Sequence, residues 1–425
     1  MIRTVNPGVA RGRLTPPPSK SYTHRALVAA HLSGRSASVL RPLDSNDTRA
    51  TARGLAALGS RVRFAANRWQ IQPAPVPTGR LRTIDCGESG TTLRFLTALA
   101  ALSDRPIRIT GRGRLPARPM SDLYDALRTL GARISPEHPD RALPCTIRGP
   151  ISAGRIDVRS DETSQYLSAL LMALPRVAGR SEIRLQGPLV SRTYVQATSA
   201  VLNAYGVRIV VRPRGYRVDG LQTFRATPFT VPRDASSAAY FWAAAALTGG
   251  GVTVTGLDRR WPQADLALLD ILRRMGASVR SRRLATEVAG PVRRGISVDL
   301  TNSPDLYPLV GILAAGVPGR RSRLRGATHV RLKESDRFAE TARIVRAMGA
   351  RVDTTGGELS ILGTGAPRPL SLLNLNDHRL IMSAAVSALS ARSPSRLGDG
   401  RAVRKSFPGF WEALSRLVRE RGTAS

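Results

Sequence analysis

One unit, repeated six times, limits the fold of this chain more than any other feature. A helix-like segment closing on glycine recurs as Leu55-Ala-Ala-Leu-Gly59, Ala126-Leu-Arg-Thr-Leu-Gly131, Leu202-Asn-Ala-Tyr-Gly206, Leu272-Arg-Arg-Met-Gly276 and Val345-Arg-Ala-Met-Gly349. A weaker sixth copy, Leu417-Val-Arg-Glu-Arg-Gly422, ends the chain. Successive glycines lie 72, 75, 70, 73 and 73 residues apart. After the first five, the next residues read as a strand, as in Ala132-Arg-Ile134 and Ala277-Ser-Val279. The pattern is a helix closed by a left-handed glycine, where a Cβ would clash, followed by a tight entry into a strand.

A second helix keeps the same beat. Ala/Leu-rich segments run at about 26–33, 92–102, 165–174, 237–247, 306–315 and 380–390, and strand-like stretches such as Val252–Thr255 or Ile183–Leu185 follow them. They are apolar nearly all round, the pattern of a buried helix. Each unit therefore supplies one buried helix, one amphipathic helix and several strands. Two groups of three suit a chain of 425 residues, which is long for a single core. Proline clusters at Pro16–Pro18 and Pro228–Pro232 mark the crossings. We expect units one to three to fill 19–232, and units four to six to fill 233–425 together with residues 1–18.

Charge narrows the function classes. The chain carries 65 basic and 30 acidic residues, a net +35 that would attract polyanions. Yet only 5% of residues are aromatic, and no RNP, helix-turn-helix or zinc-finger pattern offers base readout. Cys86 and Cys145 are the only cysteines, and the five histidines show no metal-ligand spacing, so no metal or cofactor is expected. No apolar run reaches the roughly 18 residues of a membrane span. Nothing near the N-terminus resembles a secretory signal, and a cytoplasmic location is the expectation. Lys20, Lys333 and Lys405 are the only lysines, and the other 62 basic residues are arginine. A chain that writes arginine almost everywhere keeps lysine where a compact charge with a shiftable pKa is needed.

Polar residues precede all six buried helices: Ser19-Lys-Ser21, Glu88-Ser-Gly-Thr91, Thr163-Ser-Gln165, Asp234-Ala-Ser-Ser237, Pro304-Asp305 and Asn376-Asp-His-Arg379. Capping accounts for each taken singly, and best for Asp234 with Ser236 and Ser237. A helix start also presents unpaired N–H groups and about half a positive charge, which suits anions. Six such starts, with Lys20, Arg25, Arg118, Arg337, Arg379 and Lys405 nearby, would suit several phosphates or carboxylates. The string Lys333-Glu-Ser-Asp-Arg337 reads, by charge spacing alone, as a solvated helix face. His24 reads as a polar neighbour of Lys20 and Arg25.

These strings, with Pro18–Ala26, Asp85–Arg94, Ala117–Met120, Ser164–Leu167, Leu189–Tyr194 and Lys405–Pro408, resemble the 5-enolpyruvylshikimate-3-phosphate synthase family in its order along nearly the whole chain. The resemblance implies a two-domain inside-out α/β barrel of the enolpyruvyl transferase kind, six β-α-β-α-β-β repeats with the active site between domains. It implies a monomer that joins phosphoenolpyruvate to shikimate 3-phosphate and is open to competition by glyphosate. Shikimate 3-phosphate would be held by Lys20, Ser21, Arg25, Thr163, Ser164, Gln165, Ser191, Tyr194, Asp305 and Lys333. Phosphoenolpyruvate would be held by Lys20, Gly90, Arg118, Gln165, Arg337, Arg379 and Lys405. Asp305, Glu334 and Lys20 are the expected catalytic groups.

The chain departs from the family's commoner residues at His329, Thr163 and Glu88, and its charge is unusually basic. Two rivals remain at this stage. One is a UDP-N-acetylglucosamine enolpyruvyl transferase, whose reactive loop cysteine has no counterpart in Arg114–Met120. The other is a basic nucleic-acid-binding protein.

Overall fold

The computed structural model describes residues 2–75, 81–326, 328–365 and 367–419. Two compact units divide the chain. One is the inserted stretch Pro18–Pro232; the other, the split unit, holds the chain up to Pro17 and from Arg233 onward.

The inserted unit contains α1 (Lys20–Leu32), α2 (Asn46–Ala57), α3 (Gly90–Ala100), α4 (Ser121–Thr129), α5 (Gln165–Ala173) and α6 (Arg192–Ala204). The odd-numbered helices are the apolar ones. In α3 every residue but Thr91 is buried, and in α5 every residue but Gln165, so these helices form the interior and the sheets lie outside. Three four-stranded sheets surround them with one shared order. A parallel strand flanks a central strand, and two antiparallel strands complete each sheet, as in Arg82–Asp85, Ile107–Thr110, Cys145–Arg148 and Arg133–Pro136. The first sheet takes its parallel strand, Phe229–Thr230, from the far end of the unit, closing three repeats on themselves.

The split unit repeats the plan with α7 (Ala235–Thr248), α8 (Leu268–Arg274), α9 (Tyr307–Ala315), α10 (Arg337–Ala347), α11 (His378–Ala388) and α12 (Phe410–Leu417). Here α7, α9 and α11 pack on one another, and every residue of α9 and α11 is buried. Alanines at 238, 239 and 243–246 keep α7 slim enough for close approach, while Phe241 and Trp242 supply its large buried area. Fully burying one such aromatic is worth about 1.5–3 kcal/mol. The N-terminal segment stitches this unit shut. Arg3–Val5 pairs with Ser395–Leu397, and Val9–Leu14 runs parallel to Gly251–Thr255.

The repeat read from sequence is therefore the architecture, a six-repeat inside-out α/β fold. Gly59, Gly131, Gly206, Gly276 and Gly349 all lie in the left-handed region, with φ between 83 and 102°. The sixth copy differs from its expected form. Helix α12 stops at Leu417, and Val418–Arg419 passes directly into a strand against Val9–Ala10. Gly422 lies outside the described residues. The last carbonyls of α12 would end unpaired in any case, and the strand at Val418–Arg419 takes its backbone partners from Val9–Ala10. Charge spacing alone would make Lys333–Arg337 a helix face, but α10 begins only at Arg337, and Lys333–Asp336 form an irregular approach in which Asp336 caps the helix.

Candidate active site

Capping explains some helix starts and leaves others. Ser89 accepts from the Thr92 amide, Asp234 from Ser237, and Asp377 from Arg379. Ser19 and Ser164 occupy cap positions at α1 and α5 but make no side-chain cap bond. Those two starts carry expected substrate residues.

In the inserted unit, Lys20 opens α1, and its Nζ lies 2.9 Å from Asp47 at the start of α2. Arg25, one turn later, is buried. Its Nε donates to Thr198 at 2.8 Å, and its Nη atoms donate to the carbonyls of Ser21 and Tyr194, each at 3.0 Å. Burial draws the Arg25 pKa down to about 10, because its acceptors are neutral. Ser191 precedes α6 at φ 54°, a left-handed conformation, and Tyr194 lies in the first turn of α6.

Gly90 is the first residue of α3, and guanidinium groups crowd it. A Cβ there would sit 2.5 Å from Nη1 of Arg118 and 2.6 Å from Nη1 of Arg94. Arg118 is thus laid across the helix start, so a side chain at position 90 would have to push the ends of both arginines aside. Gln165 at the start of α5 donates from its side chain to Thr91 at 3.2 Å, and its amide meets Thr163 at 3.2 Å. Its Oε1 is buried with no hydrogen-bond partner among the described residues. A buried orphan acceptor costs about 1–3 kcal/mol, which singles it out as a ligand-facing group. The side chain of His24 joins a buried hydroxyl chain through Thr51 to Thr92 and Ser89. Burial holds its pKa down at about 3, so it stays neutral.

The split unit is built from charges. Arg337 is 2% exposed and faces three carboxylates: Asp305 at 2.7 Å, Glu334 at 2.8 Å and Asp377 at 2.8 Å. Asp305 sits in the tight turn Pro304–Leu306 ahead of α9, and its second oxygen accepts from Arg379 at 3.0 Å. Burial alone would raise the Asp305 pKa, but Arg379, Arg337 and Lys333 outweigh it and hold the carboxyl well below the usual range. Arg337 is locked in its charged form by the same partners, with Asp377 foremost among them. Lys405 closes the turn Ala402–Lys405, which packs on α11, the helix carrying Arg379. His329 is buried and kept neutral, its pKa lowered to about 4 by burial and by Lys333.

In the inserted unit Lys20, Ser21, Gly90, Gln165 and Tyr194 lie in the first turns of helices, Thr163, Ser164 and Ser191 just ahead of them, Arg25 one turn into α1, and Arg118 after the turn Leu115–Ala117 ahead of α4. In the split unit Arg337 and Arg379 lie in the first turns of helices, Asp305 in the turn ahead of α9, Lys333 and Glu334 in the approach to α10, and Lys405 at the end of the turn Ala402–Lys405. Sequence reasoning gave no role to Asp47, Thr91, Arg94 or Asp377, each of which holds a predicted residue. Thr91 and Asp377 had a signal in the polar strings ahead of α3 and α11, and Arg94 ended one of the family-like strings; Asp47 had none.

Six repeats with charged residues massed at the buried helix starts define an enolpyruvyl transferase-type fold. The solved structure of an EPSP synthase from Acinetobacter baumannii superposes with a TM-score of 0.81 at 24% identity, covering 99% of this chain and 98% of that one. The enolpyruvyl transferase NikO from Streptomyces tendae gives 0.80 at 17% identity, covering 98% and 97%. The sequence profile described as EPSP synthase (3-phosphoshikimate 1-carboxyvinyltransferase) matches residues 6–414. A 3-phosphoshikimate 1-carboxyvinyltransferase of Methanocorpusculum labreanum is 37% identical over 405 residues, 94% of each chain. One from Halobacterium salinarum is 38% identical, covering 98% of this chain and 99% of its own. The chain belongs to the EPSP synthase family.

Proposed function

We propose that this enzyme transfers the enolpyruvyl group of phosphoenolpyruvate to the 5-hydroxyl of shikimate 3-phosphate and releases phosphate. The observation that carries the reading is Asp305, a carboxylate fixed between two buried guanidinium groups, Arg337 and Arg379. In the first step the hydroxyl oxygen bonds to C2 of phosphoenolpyruvate while C3 takes up a proton, giving a tetrahedral adduct. In the second, C3 returns the proton and the C2–O bond to phosphate breaks, restoring the double bond.

Asp305 takes the hydroxyl proton. Its low proton affinity before substrate arrives is useful, since anions bound to Arg337 and Arg379 would draw off their charge and make Asp305 a stronger base. Glu334, anchored on Arg337, gives the proton to C3, with Lys20 as the rival donor. Arg118, Arg337, Arg379, Lys20, Gln165 and Lys405, with the α3 start at Gly90, hold phosphoenolpyruvate. Lys20, Ser21, Arg25, Thr163, Ser164, Gln165, Ser191, Tyr194, Asp305 and Lys333 hold shikimate 3-phosphate. Guanidinium pairs grip phosphate and carboxylate in two-point bonds, and charge neutralisation does most of the work. The enzyme works as a cytoplasmic monomer. Among the described residues no helix is long and apolar enough to cross a membrane.

The test is phosphate release from phosphoenolpyruvate with shikimate 3-phosphate, and separately with UDP-N-acetylglucosamine, as acceptor. Release with the first alone is expected; release only with the second, or with neither, defeats the reading. Asp305→Asn and Glu334→Gln should each lower kcat by about 10²–10⁴ with both substrates saturating. Near-normal kcat in both would remove these residues from proton transfer.

A further inference from the structure

Asp265 belongs to none of the motifs above, yet its carboxyl feels the charges of both Asp305 and Arg379. It lies in the turn Ala264–Ala267 and is 1% exposed. One of its oxygens accepts from the Ser236 hydroxyl; the other, Oδ1, is buried with no hydrogen-bond partner among the described residues. The turn is pinned to the start of α7, because the Gln263 side chain accepts from the Ala235 amide and donates to the Arg233 carbonyl, each at 2.8 Å.

The groups that act on its charge come from three elements. The α7 start contributes Asp234 and Ser236, the turn before α9 contributes Asp305, and α11 contributes Arg379. Tyr240 on α7 lies against Arg379, and burial pushes it up to about 12, so it is neutral. On α8, which follows the turn directly, Asp270 faces solvent. A buried carboxylate with two carboxylate neighbours and one guanidinium cannot stay ionised cheaply. Burial first, then Asp305 and Asp234, raise its pKa to about 7 against the pull of Arg379 and Ser236.

We propose that Asp265 is a positioning residue for Arg379, its charge deciding how much of that guanidinium is available to phosphoenolpyruvate. This rests on the reading that Arg379 holds that substrate. Ionised Asp265 competes with the substrate for the positive charge; protonated Asp265 releases it. An anion bound nearby raises the proton affinity of Asp265 further, so binding takes up a proton and phosphoenolpyruvate binds better below neutrality than above.

The experiment measures KM for phosphoenolpyruvate with shikimate 3-phosphate saturating, from about pH 6 to pH 8.5, in the wild type and in Asp265→Asn. Ionisation of the substrate is common to both, so the ratio of the two KM values is read. It should be near one at the acid end and rise to about fivefold at the alkaline end, with kcat little changed. Ser236→Ala removes a hydroxyl that favours the ionised form, so its midpoint should move to higher pH. That shift is beyond what lost packing can give, and it remains readable if the Asn variant folds poorly. Curves parallel to wild type in either variant overturn the proposal. Arg379→Lys separates the two readings. An unchanged KM there would refute the role of Arg379 itself, whereas a raised KM with parallel Asp265→Asn curves refutes only the inference drawn here.

Discussion

The two units share one scaffold and fill it with different chemistry. In the inserted unit, arginines at the helix starts rest on neutral acceptors: Arg25 on a threonine and two carbonyls, Arg94 on the carbonyls of Gly90 and Pro119. In the split unit, Arg337 alone meets three carboxylates, and Arg379 shares one of them. Three repeats around buried helices thus set guanidinium groups against neutral oxygens in one case and build a compensated charge cluster in the other. The difference lies in what stands opposite each guanidinium. A neutral acceptor leaves the positive charge available to a ligand, whereas a carboxylate ties it down and is itself tuned in return.

The sharpest test of this contrast is truncation of one buried arginine in each unit. Arg337→Met takes the shared partner from three carboxylates, of which Asp305 keeps a second guanidinium, Arg379, and should cost about 3–5 kcal/mol in urea unfolding. Arg25→Met leaves only neutral groups unpaired and should cost about 1–3 kcal/mol. Equal losses would break the comparison.

Acid should separate the units next. The unfolded chain protonates His24 below its ordinary value of 6.5, but the folded chain does so only near 3. Stability from this group is therefore full above pH 6.5 and lost as pH falls toward 3, by about 2 kcal/mol on reaching pH 5. In the split unit His329 shifts the same way, its folded value being about 4. Asp265 opposes it: its folded value of about 7 lies above the carboxylate norm of 3.8, so it recovers stability as pH falls from 7 toward 4. Amide exchange, corrected for its intrinsic pH dependence, should accelerate more in α1 than in α9 between pH 7 and 5. Equal acceleration would show that the histidine shift is not felt locally.

The smallest effect tests the inserted unit alone. Gly90→Ala brings a methyl against Arg118 and Arg94, whose flexible ends can yield. KM for phosphoenolpyruvate should rise about tenfold, that for shikimate 3-phosphate less than about twofold, and Tm should move by only a few degrees. A matched rise in both constants would mean that Arg118 serves both substrates.

Glycine spacing and apolar helices were enough to count six repeats, since a left-handed helix end and an all-round apolar face are local demands written into neighbouring residues. Scarcity of lysine pointed to Lys20, Lys333 and Lys405, and their surrounding strings pointed to the family. No local pattern could show that Asp377 grips Arg337 from 40 residues away, or that Thr198 holds Arg25 from 173 away. Nor could it show that Lys333–Asp336 is an irregular approach instead of a helix face, or that the chain's last described strand pairs with Val9–Ala10. Side-chain periodicity reports which face of an element is buried. Which charges meet once those faces are packed, and so which carboxylate keeps its proton, depends on through-space electrostatics and burial that exist only in the folded chain.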